Sequence, residues 1–152
     1  MKLGTNGSGR KRRQLKSNVD PYVMNLLENI VEGFVRETYG AAVARFRARS
    51  ANDSQIRRVM EEIAADEYMH AQLAFEVATW LQAAIDPVEG AWVENAMRHA
   101  VIALARELDV EVEAELSTVV GIPARRDALA IWSGLSHRVW HGISERVWNA
   151  AA

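Results

Sequence analysis

From Pro21 onward, apolar residues recur every three or four positions, and three short stretches interrupt the pattern. The first repeat opens at "DPY". Asp20 can cap a helix and Pro21 suits its first position, and the pattern then runs to about Arg49. "SANDS" breaks it, and Asn52 or Asp53 can cap a second helix reaching about Ile85. Asp86-Pro87 repeats the opening signal and predicts a third helix that ends near Ser117. "VVGIP" is a stop, with Gly121 as helix terminator and Pro123 as restart, before a fourth helix to about Trp148. No segment alternates as a strand does. The pattern predicts an all-α chain of four long antiparallel helices joined by short loops, which is a helical bundle.

Two of the stripes contain misfits. On the first helix Leu26, Ile30, Phe34, Ala41 and Ala44 share a face, and Glu37 falls among them. Glu32 does not, because it belongs to an i, i+4 ladder with Glu28 and Arg36 that reads as solvent-facing. Gly33, Gly40 and Ala41 put small side chains around Glu37. On the second helix the stripe is Ile56, Met60, Ile63, Glu67, His70, Ala74, Val77 and Leu81. Two carboxylates and an imidazole are thus expected on buried faces near mid-helix. A buried carboxylate is costly unless it is paired, protonated or bound to metal. A divalent cation between Glu37 and Glu67 would remove their mutual repulsion.

Composition narrows the chemistry. The 152 residues contain no cysteine, so any metal site must use His, Asp or Glu. A net charge of −2 gives no global case for nucleic acid. No apolar run approaches the ~18 residues of a membrane span, and the N-terminus lacks the apolar core of a secretory signal, so a cytoplasmic protein is expected. Residues 1–19 are rich in Gly, Ser, Asn and basic side chains and read as a flexible basic tail ahead of a helical domain over 20–152. The other histidines carry weaker signals. His99 reads as structural or surface, and His137 and His141 have a chelating i, i+4 spacing with no carboxylate nearby. The five tryptophans (80, 92, 132, 140 and 148) read as core or interface packing. "DVEVEAE", 109–115, reads as a solvated acidic face, and Tyr39, close to Glu37, as packing.

A Glu on one helix, followed about 30 residues later by Glu-x-x-His on its partner, is the half-site of ferritin-like di-iron carboxylate proteins. The stretch from "RETYGAAVARF" to "ADEYMHAQLAFEV" resembles a rubrerythrin- or bacterioferritin-type helix pair. Residues 28–81 are similar to the second half of a group of bacterial ferritin-like domain proteins, and "GIPARRDALAIWSGLSHRVW" is similar to their C-terminal region. The resemblance implies a ferritin-like antiparallel bundle. Glu37 and Glu67 would be a terminal and a bridging carboxylate, His70 an imidazole ligand, and Asp66 an outer-shell partner for a histidine of the other half. It implies iron, with manganese possible, and ferroxidase or peroxide- or O2-reducing activity on Fe2+, O2 or peroxide.

A full site takes two Glu and Glu-x-x-His sets, and this chain has one. A homodimer would supply the second from a symmetry mate, giving four carboxylates and two imidazoles. A separate chain is another source. A closed monomer with a degenerate site, drawing on His99, Glu107 or His137, is the third arrangement. The rival from another class is a non-catalytic helical assembly module in which Glu37, Glu67 and His70 form a hydrogen-bonded relic.

Overall fold

The computed structural model of the chain describes residues 21–141. The basic tail, Asp20 and Trp148 lie outside the described residues. Helix α1 is continuous over 21–50. It starts as an α-helix, Pro21–Glu28, widens to a π-helix, Asn29–Arg36, and returns to an α-helix, Glu37–Ser50. Helix α2 is Ser54–Gln82 and α3 is Pro87–Glu107. Helix α4 begins as Arg125–Leu135 and continues through a π-helical turn, Ser136–Trp140. Among the described residues there is no strand, and no helix is long and apolar enough to cross a membrane.

The helix starts follow the capping chemistry of the sequence. The Asp53 side chain accepts hydrogen bonds from the N–H groups of Gln55, at 2.7 Å, and Ile56, at 3.2 Å. Asp86 does the same for Val88 and Glu89, and the Glu89 carboxylate accepts from the Asp86 N–H in return, which completes a capping box. Pro87 fills the first turn, where its missing N–H costs nothing.

Helix α3 stops at Glu107, well short of the expected end near Ser117. Beyond it, valines alternate with carboxylates over 109–113. Asp109 and Glu113 would be like charges four apart on a helix, and Val110 and Val112 lose side-chain freedom there. Arg125, at the start of α4, ion-pairs with Asp109 and holds this segment in its non-helical path. "DVEVEAE" is therefore mostly an exposed loop rather than a helix face. It leads into a short π-helical turn, Leu116–Val120.

α1 is the central element. α2 packs along its whole length, α3 against its first half, and α4 against its second half. The large apolar residues are gathered at one end. Val23, Leu26, Ile30, Phe34 and Val35 of α1 meet Leu81 of α2, Val93, Met97, Val101 and Leu104 of α3, and Trp140. Phe34 and Val35 are adjacent yet both buried, because the wide turn of the π-helix brings both onto the packed face. Towards the other end the buried residues of α1 are alanines, Ala44 and Ala48, followed by Ala51 in the loop to α2. Gly33 lets the helices approach so closely that a Cβ there would lie 3.0 Å from the Ala74 Cβ. Nearby, the Asn29 amide donates to the Ala74 carbonyl at 2.7 Å.

The tryptophans divide. Trp140 is in the core, and Trp132 donates its indole N–H to the Val101 carbonyl at 2.8 Å. Trp80 and Trp92, expected to pack, are 69% and 55% exposed within the single chain. The loop before α4 closes the alanine end. The Asn52 N–H donates to the Thr118 carbonyl, and Arg47 donates to that of Val120. Gly121 turns the chain there with φ +72°, and a Cβ at this position would sit 2.7 Å from the Ala51 nitrogen.

Gly121→Ala combines a left-handed backbone with an overlap against main chain, so it should cost about 2 kcal/mol or more. In contrast, a Cβ at Gly134 meets only the movable tip of Arg138, and Gly134→Ala should gain about 0.5–1 kcal/mol within its helix. Urea unfolding followed by helical circular dichroism checks both signs.

Candidate metal centre

Glu37 is the first residue after the π-helical stretch of α1, and Glu67 and His70 are one turn apart on the facing side of α2. Each offers one ligand atom, and the three atoms lie within 4.8 Å of one another. His70 Nδ1 is 3.8 Å from Glu37 Oε2. Ligands on opposite sides of an ion that binds at about 2.1 Å stand about 4.2 Å apart. Only a small inward movement therefore separates this set from a coordinating one. The donors are two carboxylates and an imidazole, a set that divalent transition-metal ions accept.

Glycine makes the approach possible. At Gly40, on α1, the nearest atom to a Cβ would be Glu67 Oε2 at 3.4 Å. A larger side chain there would push the carboxylate away from Glu37. Gly33 serves helix packing rather than the site, and Ala41 lines a cavity on another flank of the seam. Of the three small residues noted around Glu37, Gly40 is therefore the one that meets a site carboxylate.

The site is more open than the stripes implied. Among the described residues no polar or charged side chain is fully buried. The Glu37 side chain is 34% exposed, and that of His70 is 62% exposed. Glu67 is half-buried. The face of α2 that packs on α1 is centred on Glu67, Ala71, Ala74 and Ala78, so His70 falls at its edge rather than within it. Alanines carry that face, and the larger residues Met60, Ile63 and Val77 mark its margin, which is why a stripe drawn through large apolar residues came out rotated.

The Glu67 carboxyl is held above its ordinary value. The main cause is its hydrogen bond to the Glu37 carboxylate, followed by lost solvation and the Glu37 charge; the charge of His70 opposes the shift, and Asp66 adds to it. A cation placed between the two carboxylates would relieve the same repulsion. Asp66 is exposed and acts on Glu67 through its charge. Tyr39 is half-buried against the core, and burial pushes its phenol up to about 12, as fits packing.

The weaker candidates are elsewhere. His99 and His137 are exposed, and neither joins the cluster. Glu107 is occupied: Arg36 grips both of its oxygens at 2.9 Å and also reaches Glu32 at 3.3 Å. The Glu107 carboxyl is accordingly lowered and the Arg36 guanidinium raised. This clasp ties the end of α3 to the residue just before Glu37. Sequence reasoning saw its Glu32 arm, which is local, and missed its Glu107 arm, which spans 71 positions. The helices of one chain thus bring three ligands to the cluster and no fourth among the described residues.

A carboxyl raised on folding favours the folded state while it is protonated. In metal-free protein that contribution is present at pH below the ordinary glutamate value and is lost as pH rises through the raised one. Glu67→Gln should remove this fall, so the stability difference between variant and wild type should grow in the variant's favour from about pH 4 to pH 7. Thermal melts in chelator across that range check the sign. Compared with known protein families, with curated proteins and with solved structures, the chain matches none.

Proposed function

We propose that the chain binds iron, or manganese in its place, through Glu37, Glu67 and His70. Two copies related by a twofold axis pool these ligands into a ferritin-like dinuclear centre with ferroxidase or peroxide- or O2-reducing activity. The observation that carries this reading is the convergence of two carboxylates and an imidazole within 4.8 Å at an open edge of the helix pair. An exposed imidazole beside a carboxylate pair is half of a six-ligand set, and its exposure leaves room for the other half. The surface beside it supports a second copy. Leu73 is one turn from His70 and, with Met69 and Trp80, forms an exposed apolar line along α2. The same surface would serve the non-catalytic assembly module, for which the ligand cluster has no use.

In the assembled centre each chain would hold the metals through the Glu37 and Glu67 carboxylates and the His70 imidazole. Iron held there would supply the electrons for reducing peroxide or dioxygen. The chain's own part would be to hold the metals and to keep the carboxylates free to shift between binding modes. Gly40 leaves Glu67 the space for such a shift.

Anaerobic titration with Fe2+ should show tight binding and a change of mass from one 17.0 kDa chain to two, with oxidation in air faster than in buffer alone. Glu67→Ala and His70→Ala should each abolish tight binding, while Glu32→Ala, on the solvent-facing ladder, should leave it intact. A wild-type chain that takes up no Fe2+, or a Glu67→Ala chain that takes it up equally well, overturns the reading.

A further inference from the structure

The same helix pair that holds the carboxylates has a second feature on another flank. Between α1, α2 and α4 there is an open cavity of about 910 Å³, at the upper end of the ~300–1,000 Å³ typical of small-molecule sites. Its floor is made of small residues: Ala41, Ala42 and Ala48 from α1, and Ala64 and Ala71 from α2. Leucines at these positions would fill it. Phe34, Phe75, Leu135 and Val139 form apolar walls, and Leu135 and Val139 come from α4.

The polar groups around this volume are few and of one predominant sign. Arg45 and Arg49 stand one turn apart on α1 and both line it, with Glu61 as the carboxylate present and Gln72 and the Tyr68 hydroxyl as neutral donors. Both arginines are exposed, and neither is engaged in an ion pair or hydrogen bond within the described residues. Among the other described arginines, Arg106 and Arg138 are likewise unengaged but line no part of this cavity. Arg36, Arg47, Arg57 and Arg125 each bind a carboxylate or a main-chain carbonyl. Two unengaged guanidiniums beside an alanine-floored apolar trough match a ligand with an anionic head and a long apolar body.

We propose that this cavity binds a long-chain aliphatic carboxylate, with the carboxylate held by Arg45 and Arg49 and the alkyl chain laid along the alanine floor under Leu135 and Val139. The guanidinium fork suits a carboxylate, which can accept from both arginines at once. The alkyl chain supplies the affinity by leaving water, and the arginines set its direction. None of the metal ligands lines this cavity, although Met69 borders both it and the exposed apolar line of α2. Occupancy of the cavity needs neither a bound cation nor a second copy.

The test uses the full chain in chelator and titrates it calorimetrically with octanoate, decanoate, dodecanoate and tetradecanoate, each below its micelle concentration. Affinity should rise by about fourfold per added methylene until the cavity is full. Dodecylammonium should bind far more weakly than dodecanoate. Arg45→Glu/Arg49→Glu, at two exposed positions, should weaken dodecanoate binding about tenfold or more. Ala64→Phe should abolish it by filling the floor, with circular dichroism confirming the fold; if that variant does not fold, the double glutamate variant decides. Equal affinity for octanoate and tetradecanoate, equal affinity for the ammonium, or wild-type affinity in the double glutamate variant each overturns the proposal. So does a failure of any of these acids to bind, which would leave the cavity to another part of the chain or to a second copy.

Discussion

Everything notable in this molecule depends on how closely α1 and α2 approach. Helices normally pack 8–10 Å apart, with the distance set by the side chains between them. Here those side chains are mostly glycine and alanine. Gly33 meets Ala74, Gly40 meets Glu67, and Ala44, Ala48, Ala71 and Ala78 are buried. Close backbones do two things. They bring carboxylates from opposite helices into hydrogen-bonding range, and they replace large core side chains with a seam too thin to fill the space beside it. The carboxylate pair and the cavity are two results of one small-residue interface.

The rest of the fold braces that seam. Large apolar residues of α1 and α3, with Trp140, form a firm core at one end. The Asn29 amide fixes the longitudinal register of α1 on α2 through the Ala74 carbonyl. Arg36, bound to Glu32 and Glu107, fixes α3 against the turn that presents Glu37. The cation nearest in sequence to a candidate ligand is thereby neutralised by two carboxylates and directed away from the site. The π-helical stretch before Glu37 belongs to the same bracing, because its wide turns set which residues of α1 face inward.

Much of this was legible in the sequence, and the reasons for success and failure are specific. Helix starts were readable because caps act through neighbours two or three residues away, as Asp53 and Asp86 do. The stop at Gly121 was readable because a positive φ favours glycine. The grouping of Glu37, Glu67 and His70 was readable because helical periodicity carries position along an element. Three things were not. The depth of the site was overstated, since periodicity says which face a residue shares and not whether another helix covers that face; His70 shows the difference. The early end of α3 was missed because the helical period was carried on through the alternating valines and carboxylates of 109–113, and the Asp109–Arg125 pair that holds that segment joins distant positions. The cavity was invisible because alanine is apolar whether it packs tightly or borders empty space.

The uneven distribution of side-chain size has a consequence for motion. Local opening of a native protein is governed by how much apolar contact must be broken. The end built from Leu, Ile, Phe, Val, Met and Trp has the most apolar contact to break. The alanine end, closed by the main-chain bonds of Asn52 and the reach of Arg47, has far less to break. Amide exchange should therefore be graded along α1, slow near Leu26 and fast near Arg45. α1 is thus held by large side chains at one end and by small ones at the other, with Glu37 near the change-over. A rearrangement on the small-residue side would change the space around the carboxylates while leaving the large-residue core in place.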